Sequence, residues 1–131
     1  MKLSTRSKGE IAMLKVQLKA YEKNLVVSFP TNNEIYYDLI IDNPKNSKEL
    51  KRSQVKYCNK KHGKNGLEIM LNNPSSKRIF YRHTDIDWLL VFLPSKDVIL
   101  KYEQKYFHRK KRIYINLKQE RSRWFYKHFI W

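Results

Sequence analysis

One helix packed against a mixed or antiparallel sheet, an α/β or α+β sandwich, is the fold class that this 131-residue sequence predicts. Three observations predict it. Apolar residues recur at three- and four-residue spacing over one stretch near the N-terminus, and after Asn24 the pattern changes to period 2 or to short apolar runs. Hydrophobic residues make up 41% and aromatics 14% of the chain, enough for a core despite a net charge of +16. Glycine occurs three times and proline four times, with no internal repeat or low-complexity tract to suggest a solenoid or linker. The length fits a single domain, residues 1–131, with a core over about residues 8–100 and a basic, aromatic C-terminal segment over 101–131.

The elements follow in order. Ile11, Leu14, Leu18 and Tyr21 form a helical stripe toward a core, with Lys15, Lys19 and Lys23 off it. Ser7 and Glu10 read as a capping box that starts this helix, and Asn24 ends it. Strands are expected at Leu25 to Phe29, Ile35 to Ile41, Arg52 to Tyr57, Leu67 to Leu71, Arg78 to Arg82, Trp88 to Leu93, Asp97 to Leu100 and Ile113 to Leu117. Turn signals separate them: Thr31-Asn32-Asn33, the Asp42 to Ser47 loop, and Pro94-Ser95. A short helix is expected within Tyr102 to Arg112. This order excludes all-helical helix-turn-helix and zinc-finger folds.

Lys and Arg number 28 against 12 Asp and Glu. Half of the excess lies in residues 101–131, which carry ten Lys or Arg and two acids. Solubility alone needs a net charge of only about 2–8, so a polyanionic partner is expected. The longest apolar run, Trp88 to Leu93, is six residues, against about 20 for a membrane span, so no membrane association is expected. The first nine residues lack the apolar core of a secretory signal, and the lone Cys58 points to a reducing compartment. His62, His83, His108 and His128 have no paired ligand spacing with Cys58, which argues against zinc and against an HNH nuclease site. No glycine-rich phosphate loop occurs.

Asp38 stands inside the apolar run Ile35 to Ile41, where a carboxylate loses hydration unless a cation, a metal or hydrogen-bond donors compensate it. From the residues alone, it could equally sit solvated at a strand end. Gln54-Val55-Lys56 reads as a strand, which sets Gln54 and Lys56 on one face about 6.6–7 Å apart. A carboxylate beside an oxygen ligand and an ammonium can hold a divalent cation and a water next to a phosphate. Hard Mg²⁺ keeps several waters and needs only one or two protein oxygens. Glu10, one turn before Leu14, falls on the stripe expected to face the sheet, although a capping role explains it equally well.

Lys8-Gly9-Glu10-Ile11-Ala12, Val27-Ser28-Phe29-Pro30, Tyr37 to Asp42, Gln54-Val55-Lys56 and Asp87 to Phe92 occur in that order. Together they resemble the PD-(D/E)XK nucleases, in which a Glu on the first helix precedes Pro and Asp on a hairpin and (Asp/Glu)-x-Lys on the next strand. The Gln-x-Lys variant is similar to that of the homing endonucleases encoded in group I introns of cyanobacterial tRNA genes. The resemblance implies a restriction-endonuclease-like core and Mg²⁺-dependent, site-specific cleavage of double-stranded DNA, with Mn²⁺ able to substitute. It further implies Asp38 as principal metal ligand, Gln54 as a ligand through its amide oxygen, Lys56 as the water-activating residue and Glu10 as a support to the metal. A junction-resolving nuclease of the same fold is the nearest alternative. A non-catalytic RNA- or DNA-binding protein explains the charge but not the Asp38, Gln54 and Lys56 set.

Two basic regions are expected to meet the phosphates: Lys60, Lys61, His62 and Lys64 directly after the Lys56 strand, and Arg109, Lys110, Lys111 and Arg112 with Arg121 and Arg123. The interleaved aromatics Tyr106, Phe107, Tyr114 and Trp124 read as core before stacking platforms. A chain of this length covers about ten base pairs, and one site cuts one strand, so a homodimer is expected. The resemblance extends this to a homotetramer. Trp88 to Phe92 and the aromatic tail could form the contact surfaces or equally belong to the core. A bacterial cytoplasm, at the nucleoid, or an organellar stroma is the expected location.

Overall fold

The computed structural model describes residues 1–32, 34–46, 48–71, 85–117 and 129–131. Helix α1 spans Thr5–Glu22. Its N-cap is Ser4, whose Oγ accepts the Ser7 amide at 3.1 Å, so the cap expected at Ser7 lies three residues too late. Glu10 is thereby free of capping duty, and its carboxylate pairs with Arg6 one turn back at 3.1 Å. The other end closes as expected at Asn24, which adopts the left-handed conformation (φ 57°). The Asn24 amide donates to the Tyr21 carbonyl at 3.0 Å and the Leu25 amide to the Ala20 carbonyl at 2.9 Å, the paired bonds of a Schellman motif.

The strands among the described residues are β1 (Val26–Ser28), β2 (Leu39–Asp42), β3 (Leu50–Tyr57), β4 (Lys61–His62), β5 (Gly66–Met70), β6 (Trp88–Leu93), β7 (Val98–Glu103) and β8 (Arg112–Asn116). A five-stranded sheet runs β1-β2-β3-β6-β7, and a second, three-stranded sheet runs β4-β5-β8. Among the described strands only β3 and β6 pair in parallel, and the other pairings are antiparallel. The large sheet is thus mixed, with α1 flanking it. Ile35 and Tyr36 lie in a bend and β2 begins only at Leu39, so the strand expected from Ile35 is shorter. The helix expected over Tyr102 to Arg112 shrinks to α2 (Gln104–Phe107), because Tyr102 pairs with Leu89 in the β6–β7 ladder and Arg112 with Met70 on β5. The strand expected at Arg78 to Arg82 lies outside the described residues.

Alternation along the strands sorts side chains between two cores. Val55, Leu90, Phe92, Leu39 and Ile41 face α1, where Ala12, Val16 and Ala20 are fully buried. Leu89, Val91 and Leu93 face the other way, onto Leu67, Ile69 and Ile115 of the second sheet. The face that α1 buries differs from the expected one: Leu14, Leu18 and Tyr21 are 64%, 57% and 83% exposed. Both stripes recur at helical spacing. The Ala12, Val16, Ala20 stripe packs because small side chains let the helix approach the strands closely, whereas Leu and Tyr in those positions would hold it off. Leu89 to Phe92, Phe129 and Trp131 are buried, so of the two readings open for these stretches the core holds for them. No helix among the described residues is long and apolar enough to cross a membrane.

Candidate active site

Asp38 is fixed to β3 at two points. Its amide donates to the Ser53 carbonyl at 2.9 Å, and its Oδ2 accepts the Val55 amide at 2.8 Å. The β2–β3 register pairs Leu39 with Ser53, so one step back sets Asp38 across from Gln54. Leu39 turns to α1; Asp38, its neighbour, turns to the opposite face, which Gln54 and Lys56 share. The expected side-by-side placement of Gln54 and Lys56 therefore holds, and the strand pairing adds Asp38 to the same face.

The electrostatics follow from burial. Desolvation raises the Asp38 pKa above the usual carboxylate range, while the Val55 amide and the charge of Lys56 pull it back. Desolvation lowers the Lys56 pKa below that of a free amine, and Asp38 opposes it. Each group is thus the nearby counter-charge of the other, in a place where both are poorly hydrated.

An open groove runs between the start of α1 and this strand pair, lined by Arg6, Glu10, Met13, Leu14, Phe29, Asp38, Gln54 and Val55. Glu10, Asp38 and Gln54 thus converge on one groove, with Lys56 beside Asp38. Glu10 does not lie on the buried stripe of α1 as expected; it stands at the groove's exposed edge with Arg6. Arg6 belongs to none of the motif stretches and enters the site only through packing. Among the described residues no three His, Cys, Asp or Glu side chains cluster. The available donors are two carboxylates and one amide, all hard oxygens, and a partly desolvated Asp38 is a carboxylate that a cation would relieve. This donor set fits Mg²⁺ with waters completing its shell. Cys58 is no candidate ligand: it is buried, and desolvation pushes its thiol up to about 11.

The two basic regions, more than forty residues apart in sequence, meet on the second sheet, because β8 pairs with β5. Lys60, Lys61, His62 and Lys64 are exposed around β4, and Arg109, Lys110, Lys111 and Arg112 lead into β8. Arg121 and Arg123 lie outside the described residues. Lys61 and Lys64 line one cavity with Lys96, which the β6–β7 turn contributes and sequence order conceals. Of the aromatics, Phe107 is buried and Tyr106 packs on the core, as expected, but Tyr114 is 53% exposed and lies against His62 with ring centroids 4.4 Å apart. Trp124 lies outside the described residues.

Comparison with solved structures finds a bacterial homing endonuclease, I-Ssp6803I, with a TM-score of 0.73 at 20% identity, covering 92% of this chain and 80% of that one. At that identity the likeness speaks for the fold. No curated protein sequence matches. The family model for the PD-(D/E)XK endonucleases matches residues 3–126, nearly the whole chain. The mixed sheet and the flanking helix agree with that match, and the chain belongs to the PD-(D/E)XK endonuclease family.

Proposed function

We propose that this protein is a Mg²⁺-dependent, site-specific double-strand DNA endonuclease of the homing type. The observation that carries this reading is the fixed placement of Asp38, Gln54 and Lys56 on one strand face at a groove, with Asp38 held by the Val55 amide. Asp38, the Gln54 amide oxygen and Glu10 would hold the cation, Mg²⁺ or in its place Mn²⁺, which when bound supplies positive charge against the charge that develops on the scissile phosphate. Lys56 orients the attacking water and accepts its proton, a role favoured by the downward pull of burial on the ammonium. As an ammonium it also stabilises the pentacovalent transition state. Arg6, now paired with Glu10, is placed to exchange that partner for a phosphate.

Two scissile phosphates related by an approximate two-fold axis call for two active sites, hence a homodimer or a homotetramer acting on the duplex. In moderate salt, light scattering at micromolar protein should give a particle containing more than one 16.0 kDa chain, and a single chain both with and without DNA would refute assembly. The decisive experiment incubates supercoiled and linear DNA carrying candidate intron-insertion sites with the protein. Discrete double-strand products with Mg²⁺, absent with EDTA, are expected; cleavage unaffected by EDTA, or none with any divalent cation, would refute the reading.

The Gln54 side chain has its own test. Gln54→Glu keeps an oxygen at the same place and should retain cleavage with Mg²⁺ or Mn²⁺, whereas Gln54→Ala should lose it. A dead Gln54→Glu beside an active Gln54→Ala would show that the side chain is not a ligand.

A further inference from the structure

The outward face of the second sheet holds an arrangement that neither the nuclease motif nor core packing uses. Leu67 and Ile69 of β5, with Ile113 and Ile115 of β8, turn inward to the core, so the alternate residues turn outward. Register places Glu68 directly across from Tyr114, and Gly66 across from both His62 and Asn116. In the middle of this basic face lies a carboxylate that is only 6% exposed. One Glu68 oxygen lies 3.2 Å from the Lys60 ammonium and the other 3.2 Å from Arg112 Nε, while Lys60 and Arg112 themselves remain 59% and 50% exposed. The Glu68 oxygen facing Arg112 makes no hydrogen bond of good geometry, so the contact there is ionic.

We propose that this face is a platform for the DNA duplex, and that Glu68 is a positioning residue that aims Lys60 and Arg112 at its phosphates. The inference rests on the endonuclease reading above and specifies which surface holds the substrate. A bare carboxylate facing a polyanion repels it; one sunk beneath two cations instead fixes the direction of two otherwise floppy side chains and leaves their outer donors free for phosphate. Lys60 follows Lys56 by four residues, a reach of at most about 14 Å, or about four base pairs, so one duplex can meet both. Tyr114 and His62, with ring centroids 4.4 Å apart, meet across β5 on this face.

The test measures binding of a short mixed-sequence duplex with Ca²⁺ in place of Mg²⁺, separately from cleavage. Lys60→Ala/Arg112→Ala removes two positive charges from the platform; Lys45→Ala/Lys48→Ala removes two from the loop between β2 and β3. The platform pair should weaken binding at least about tenfold more than the loop pair and flatten the log–log salt slope by about two. Equal losses would mean that net charge alone binds DNA and would overturn the proposal. Glu68→Gln separates aiming from charge. It adds one net positive charge, which bulk electrostatics turns into tighter binding; the positioning role requires about tenfold weaker binding. Unchanged or tighter binding by a folded Glu68→Gln variant overturns that role, and Lys60 and Arg112, being half-exposed, carry the platform test if the variant does not fold. Normal cleavage with equal losses defeats the platform alone. A platform effect without cleavage by the unaltered protein defeats the endonuclease reading instead.

Discussion

Asp38→Ala and Lys56→Ala should each lower DNA cleavage by about 10³-fold or more while leaving duplex binding in Ca²⁺ within a few-fold of the unaltered protein. The two side chains are partly desolvated and act as each other's counter-charge. Removing Asp38 takes away the carboxylate best placed to hold a cation, and removing Lys56 takes away the nitrogen placed to receive the proton of water. Neither change touches the basic surface on the second sheet, which is why affinity should survive. Gel-resolved cleavage of a plasmid, alongside a binding isotherm, checks both halves. Full cleavage by either variant would remove these residues from the chemistry; lost binding in both would make their role structural. Asp38→Ala also leaves the Val55 amide without its acceptor, so a thermal melt should accompany it.

The second large effect concerns salt. If about eight phosphates are neutralised, the slope of log affinity against log salt is near −7, at about −0.9 for each phosphate. Between 50 and 200 mM monovalent salt, binding should then fall by about 10⁴-fold. Fluorescence anisotropy of a labelled duplex over that range measures it directly. A slope shallower than about −3 would mean that most of the +16 charge does not meet the DNA.

Much of the fold was legible before any coordinates, and the reason is local. Trp88–Leu93 is a continuous apolar run because β6 is a central strand buried on both faces. Asn24 ends α1 because few residues other than glycine tolerate its left-handed backbone. The Gln54-x-Lys56 spacing reports a shared strand face, since side chains alternate with period 2 whatever the strand pairs with. Charge likewise follows from composition and needs no fold.

Other features depend on which surfaces meet. Periodicity allowed two stripes on α1, and the small one won because the approach of helix to sheet rewards Ala12, Val16 and Ala20 over Leu14, Leu18 and Tyr21. Ser4 rather than Ser7 caps the helix because the backbone turns out of helical geometry there, a choice that two serines three apart do not encode. Phe129 and Trp131 fit either a core or a subunit contact in sequence, and they are core because the chain end returns to β7. Local spacing encodes the Gln54 and Lys56 pair, the strand runs, the helix stop and the basic excess. Packing alone creates the juxtapositions between distant segments: Asp38 clipped to Val55, Glu10 and Phe29 brought to the same groove, and Arg112 joined to Lys60 over the buried Glu68. Such contacts arise from strand pairing and layer packing between segments seventeen to more than fifty residues apart, and no pattern within one segment records them.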